Sequence, residues 1–125
     1  MSKAAFSIKA FAFYLVPTGV GLLLMPNLLL SVFLLPDTQE VWLRVVGVLL
    51  INIGVYYWFA AAHDATQFFV ASVYTRTFVF IAFCLFVFSG LAEGPLILIG
   101  AVDLAGAIWT FQSIRQDRSM SGVGV

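Results

Sequence analysis

The sequence predicts an all-α fold, a four-transmembrane-helix bundle with a short interfacial helix after the first span. Three observations predict it. Apolar residues make up 62% of the 125-residue chain and charged residues 10%, whereas a soluble domain is about a quarter charged. The mean hydropathy is +1.07. The apolar residues also gather into four stretches, each long enough to cross a hydrocarbon core of about 30 Å. Hydrocarbon offers no partner for a backbone N–H or C=O, so each stretch must satisfy its own groups as a helix.

The first span covers residues 6–25. Lys3 and Lys9 stand at its start and Pro26 ends it, because proline removes a backbone donor and biases Met25 away from helix. No small-x-small cleavage site follows, so the segment reads as a retained span and not as a removed signal peptide. Residues 27–35 are apolar and stop at Pro36. Fused to the first span they would make a helix of about 45 Å, too long for the core. A kink at Pro26 followed by a short helix near the membrane surface answers this. A first span shifted to residues 17–35 is the competing reading.

The second span covers residues 39–62, with Asp37 and Glu40 in the pattern of a capping box. The third follows a similar signal at Asp64-Ala65-Thr66-Gln67 and ends near Gly90. The fourth opens at Gly94-Pro95, where proline loses nothing because its donor would be unpaired anyway, and runs to about Arg115. Residues 1–118 thus form a single transmembrane domain, and residues 119–125 a flexible C-terminal tail. The brief connections make neighbouring spans antiparallel.

Charge sets the orientation. Lys3, Lys9, His63, Arg76, Arg115 and Arg118 fall on or lean toward one side, and Asp37, Glu40 and Glu93 fall on the other, with Arg44 the lone basic exception. Trp42 marks the outer interface, and Tyr56, Tyr57, Trp58 and Trp109 the inner one. Both termini are therefore expected in the cytoplasm. A formal net charge of zero implies no bulk attraction to nucleic acid, and no basic patch interleaved with aromatics points to it.

Asp103 is the costliest residue. It lies near the bilayer midplane, where an aspartate costs about 3 kcal/mol, so it must face protein or water and find a partner. Helical spacing sets Gly100, Asp103, Gly106, Ala107 and Thr110 on one stripe, expected to face the bundle interior because small residues allow close approach and Thr110 can donate across a helix pair. Arg44 and Arg76 are the two arginines able to meet Asp103. The axial offset is about 6 Å for Arg44 and about 10 Å for Arg76, which favours Arg44. Asn52, Tyr56, Phe59 and His63 form a second stripe, expected either to hydrogen-bond between helices or to wall a small polar pocket beside Asp103. The polar cluster is thus Arg44, Asn52, Tyr56, Arg76, Asp103 and Thr110.

No catalytic set is evident: no phosphate loop, no serine or cysteine beside a base, and no HExxH. One histidine and one cysteine cannot build a multi-ligand metal site. Cys84, in mid-span, reads as apolar filler. No cofactor is expected. Seven phenylalanines of the third span (Phe68, Phe69, Phe78, Phe80, Phe83, Phe86 and Phe88) spread over several faces, so some must meet lipid or another subunit.

Arg44-x-x-Gly47, Tyr56-Tyr57, Arg76, Pro95 and Asp103-x-x-Gly106-Ala107-x-Trp109 together resemble small bacterial four-span proteins of the DoxX-like and BphX-like kind. The resemblance covers most of the chain at scattered positions. It implies a four-helix bundle in a bacterial inner (cytoplasmic) membrane and carries over no catalytic residue.

Two functions follow as expectations. The first is a non-catalytic accessory or assembly subunit, surrounded by membrane lipid and packed against a larger membrane complex or against itself. The alternative is a binder or carrier of a small apolar molecule (a lipid, a sterol-like compound or a quinone) in a midplane pocket. An enzyme using Asp103 or His63 as acid or base lacks a convincingly placed second group.

Overall fold

The structure, a computed structural model, describes residues 2–120. It is all-helical: α1 (Lys3–Leu24), α2 (Pro26–Val32), α3 (Trp42–Ala62), α4 (Thr66–Phe88) and α5 (Leu96–Met120). Among the described residues α1, α3, α4 and α5 are long and apolar enough to span a membrane, at about 31–38 Å by the usual rise. α2 is the expected short helix, with Pro26 in its first turn. The helix breaks at Met25, so residues 17–35 do not form one continuous helix as a shifted first span would require. Ser119 and Met120 extend α5, and the rest of the expected tail, residues 121–125, lies outside the described residues.

Three helices end alike, with a residue in the left-handed region just past the last turn. These are Leu34 (φ 62°), Asp64 (φ 50°) and Gly90 (φ 85°). In each case the next N–H bonds back to the fifth carbonyl before it: Leu35 to Leu30, Ala65 to Ala60, and Leu91 to Phe86. Asp64 therefore closes α3 and is not the cap of α4. Aspartate tolerates the left-handed conformation better than most residues. The other expected cap also moves. α3 starts at Trp42 without a side-chain cap, while Thr38 accepts from the Glu40 N–H at 3.1 Å and donates its own N–H to Asn27 Oδ1 at 3.0 Å. These bonds tie the loop before α3 to α2.

The bundle is two packed pairs leaning together. α3 lies along α1 and α4 lies along α5, with α1 also on α5. Gly19 and Gly47 bring α1 and α3 to backbone contact. A Cβ on Gly19 would sit 2.6 Å from the Gly47 carbonyl oxygen, and one on Gly47 would sit 2.7 Å from that of Gly19. Although joined by a short loop, α3 and α4 bring few backbone positions close together and meet through side chains, with the Tyr57 and Phe68 rings edge to face at 5.1 Å, and α4 meets α1 only slightly.

The apolar core fills the end of the bundle that holds the termini. It comprises Ala4, Ala5, Ile8, Phe11, Ala12 and Leu15 of α1 with Tyr57, Ala61, Phe69 and Ile114. The same end is locked by polar bonds. The Asp117 carboxylate accepts from the Lys3 and Ala4 N–H groups at 3.1 and 2.9 Å, and Ser2 donates to Asp64 at 2.6 Å. The first N–H groups of α1, which have no partner within the helix, are thereby satisfied by α5.

Candidate functional site

Arg76 is the centre of the polar interior. It lies midway along α4 and is only 3% exposed. Its positive charge had leaned it toward the inner interface, but the side chain turns into the bundle, where Ser72 and Thr110 hold it. Its guanidinium is held by three hydrogen bonds, two to Ser72 and one to Thr110. Nε donates to the Ser72 carbonyl at 3.2 Å, Nη2 to Ser72 Oγ at 3.1 Å, and Nη2 to Thr110 Oγ1 at 2.8 Å. Thr110 in turn shares a 2.8 Å bond with Ser7 Oγ, whose hydroxyl also donates to the Ala4 carbonyl. One connected network thus joins α4, α5 and α1, all of it buried. In hydrocarbon such a network fixes helix register, because each member would otherwise be left without a partner.

Nη1 is different. It is buried and has no hydrogen-bond partner among the described residues. It lies in a notch made by Gly106, where a Cβ would come 3.0 Å from Nη1 and 3.0 Å from the Phe11 ring. The guanidinium carbon stands 4.8 Å from the Phe11 ring centre and 5.7 Å from that of Tyr57. A desolvated cation over aromatic faces gains about 2 kcal/mol, which partly offsets the missing bond.

Beyond this network a cavity of about 640 Å³ opens between α3 and α4. Phe11, Tyr57 and Phe68 close it toward the core, and Leu30, Phe33 and Leu35 roof it at the α2 end. Leu50, Ile53 and Val79 are among its apolar sides. Its polar wall is Tyr14, Ser72, Thr75, Arg76 and Asp103. Asp103 is half-buried and makes no hydrogen bond or direct ion pair among the described residues. It lies within electrostatic range of Arg76, Tyr14 and Tyr57.

The six residues expected to form one polar cluster divide. Arg76, Asp103 and Thr110 come together. The α5 stripe does face inward, with Gly100, Ala107 and Thr110 buried. Arg44 does not meet Asp103. It stands exposed near the start of α3, and its Nη1 donates to the Leu23 carbonyl in the last turn of α1. That carbonyl has no partner within its own helix, so it captures the guanidinium. Tyr56 lines the cavity from its edge but is 66% exposed. Asn52 faces away from the bundle, as do Phe59 and His63. The second stripe is therefore an outer surface, and Gly47, Gly54, Tyr57 and Ala61 are the inner one.

Sequence reasoning missed Ser7, Ser72 and Tyr14, and it set Tyr57 at the inner interface, whereas Tyr57 is 6% exposed and part of the core. The signal for Ser72 was present, since it stands four residues before Arg76 on the same helical face. Ser7 lies one turn before Phe11 on the buried stripe of α1. Tyr14 carries no such mark.

No family model, no curated protein and no solved structure matches this chain.

Proposed function

We propose that this chain is a non-catalytic membrane binder or carrier that takes a small amphipathic molecule, a lipid or sterol-like compound, into the cleft between α3 and α4. The observation that carries this reading is the cavity itself. Its volume of about 640 Å³ falls within the range of about 300–1,000 Å³ usual for small-molecule sites. Its walls are mostly apolar, with hydroxyl-bearing side chains such as Tyr14, Ser72 and Thr75 gathered near the two charged groups, Arg76 and Asp103. Because the backbones of α3 and α4 stay apart beyond the Tyr57–Phe68 contact, a molecule can enter sideways from the bilayer without crossing water.

The head of the ligand follows from charge. The polar wall carries one cation and one carboxylate, so a head with a full charge of either sign meets a like charge. An uncharged hydroxyl does not, and it can donate to the free Asp103 carboxylate. The quinone reading loses this donor in its oxidised form. The basic residues Lys3, Lys9, Arg115 and Arg118 and the aromatics Trp58 and Trp109 at the terminal end support a bacterial inner membrane with both termini cytoplasmic.

Three compounds with one tail and different heads test the reading: radiolabelled oleyl alcohol, oleate and oleylamine, offered to the protein in phosphatidylcholine vesicles. The alcohol should bind more tightly than either charged analogue by roughly tenfold, equivalent to about 1.4 kcal/mol, and Val79→Trp should reduce binding of all three. Retention no greater than that of protein-free vesicles would remove the binding function. Preference for oleate or oleylamine would overturn the uncharged head.

The accessory-subunit reading rests on a separate feature, the outward face of α3.

A further inference from the structure

We infer that the chain pairs with a second copy of itself through the outward face of α3, with Asn52 of each copy hydrogen-bonded to the other at the middle of the bilayer. Asn52 is the central residue of α3 (Trp42–Ala62). It follows Gly47 by five residues and precedes Gly54 by two, which turns it about 140–160° away from both at 3.6 residues per turn. Those two glycines pack against α1, so Asn52 points directly out of the bundle. It is exposed and has no hydrogen bond among the described residues.

A carboxamide brings two N–H donors and a carbonyl acceptor. At this depth lipid offers nothing to either, and each unmet group costs several kcal/mol. The surroundings are built for a helix. Val45, Asn52 and Phe59 recur at intervals of seven, with Val48 and Val55 between them, and the four apolar residues are 41–59% exposed. That is the a/d seam of a two-stranded coiled coil, in which a lone asparagine at an a position fixes register and favours two strands. The outward side of α4 is a useful contrast. Phe78, Ile81 and Leu85 are 51–68% exposed and wholly apolar, so lipid satisfies them.

The partner is a second copy because the amide is its own complement. Two chains inserted with the same topology carry α3 in parallel, with Asn52 at one depth. A two-fold axis along the membrane normal then brings each amide to the other, donor to acceptor, in an isologous contact. A different protein would need a matching polar group at the same depth, and a second copy brings one by construction. The inference stands independently of what the cavity holds.

Energy transfer between donor- and acceptor-labelled full-length chains, labelled at the N-terminus and reconstituted in phosphatidylcholine vesicles over a range of dilutions, tests it. Wild type should show a dimer isotherm. Asn52→Leu should weaken association roughly five- to thirtyfold, the equivalent of an interhelical hydrogen bond of about 1–2 kcal/mol. Asn52→Gln, which keeps an amide at that depth, should associate. Because Asn52 touches nothing inside the bundle, the helical circular dichroism of both variants should match wild type. Transfer at the level of random proximity in wild type, or an undiminished isotherm for Asn52→Leu, would overturn the pairing.

Discussion

Arg76→Met should lose about 3–5 kcal/mol of stability, the usual result of stripping one charge from a buried, mutually compensating set, and adding Asp103→Leu should recover most of that loss. Arg76 donates three bonds inside the bundle and places the positive charge nearest to Asp103. Methionine fills much of the same volume, so the loss is electrostatic and not a matter of packing. It has two parts. Thr110 and Ser72 lose their donor, although Thr110 keeps Ser7 and the Ser72 hydroxyl still donates to the Phe69 carbonyl. Asp103 is left facing an apolar cavity with no opposite charge within reach. Removing Asp103 as well takes away the second part, so the double variant should be more stable than the single one. Unfolding in mixed micelles, followed by circular dichroism as a double-mutant cycle, reads the coupling. A double variant as unstable as Arg76→Met alone would mean that the two charges ignore each other.

Gly47→Ala should be destabilising by about 1–3 kcal/mol or more through overpacking, although alanine is the better helix former by about 1 kcal/mol. The opposing signs make the test sharp. A Cβ at Gly47 would lie 2.7 Å from the Gly19 carbonyl oxygen, 2.8 Å from the Leu23 nitrogen and 3.1 Å from Leu22 Cβ. Two of these are backbone atoms that cannot rotate aside, so α1 and α3 must separate. Gly54→Ala should cost less. Its Cβ would come 2.6 Å from Val16 Cγ2, a side-chain atom, while the nearest backbone atom, Val16 N, is 3.3 Å away, farther than the two backbone atoms that meet a Cβ at Gly47. Thermal unfolding of both variants should rank them in that order. A more stable Gly47→Ala chain would show that the seam is looser than the backbone contact requires.

Much of this architecture was legible in the sequence, and the reasons are physical. Four apolar runs become four helices because hydrocarbon leaves the backbone no other choice. Pro26 separates α1 from α2 as expected, and the small-residue stripe from Gly100 to Thr110 faces inward because only small residues let α4 and α1 come close. What could not be read was depth and direction. Arg76 leaned toward the interface by charge alone, and only the buried hydroxyls of Ser72 and Thr110 show why it stays inside at mid-span. Arg44 looked the nearer partner of Asp103 on axial offset alone, but offset says nothing about rotation, and the unpaired Leu23 carbonyl lay within its reach. Asp64 carried the residue type of an N-cap and served as a C-terminal stop, since both roles suit a short carboxylate. Asn52 belonged to a plausible stripe that turned outward because Gly47 and Gly54, a third of a turn or more away, had already claimed the inward side.

The cleft between α3 and α4 is where one measurement decides most. An experimentally determined structure of the protein extracted gently from its native membrane should show elongated non-protein density in that cleft, with its polar end within hydrogen-bonding distance of the Asp103 carboxylate. Helix α3 closed against α4, with side chains filling the space in front of Asp103, would contradict a binding role for this bundle.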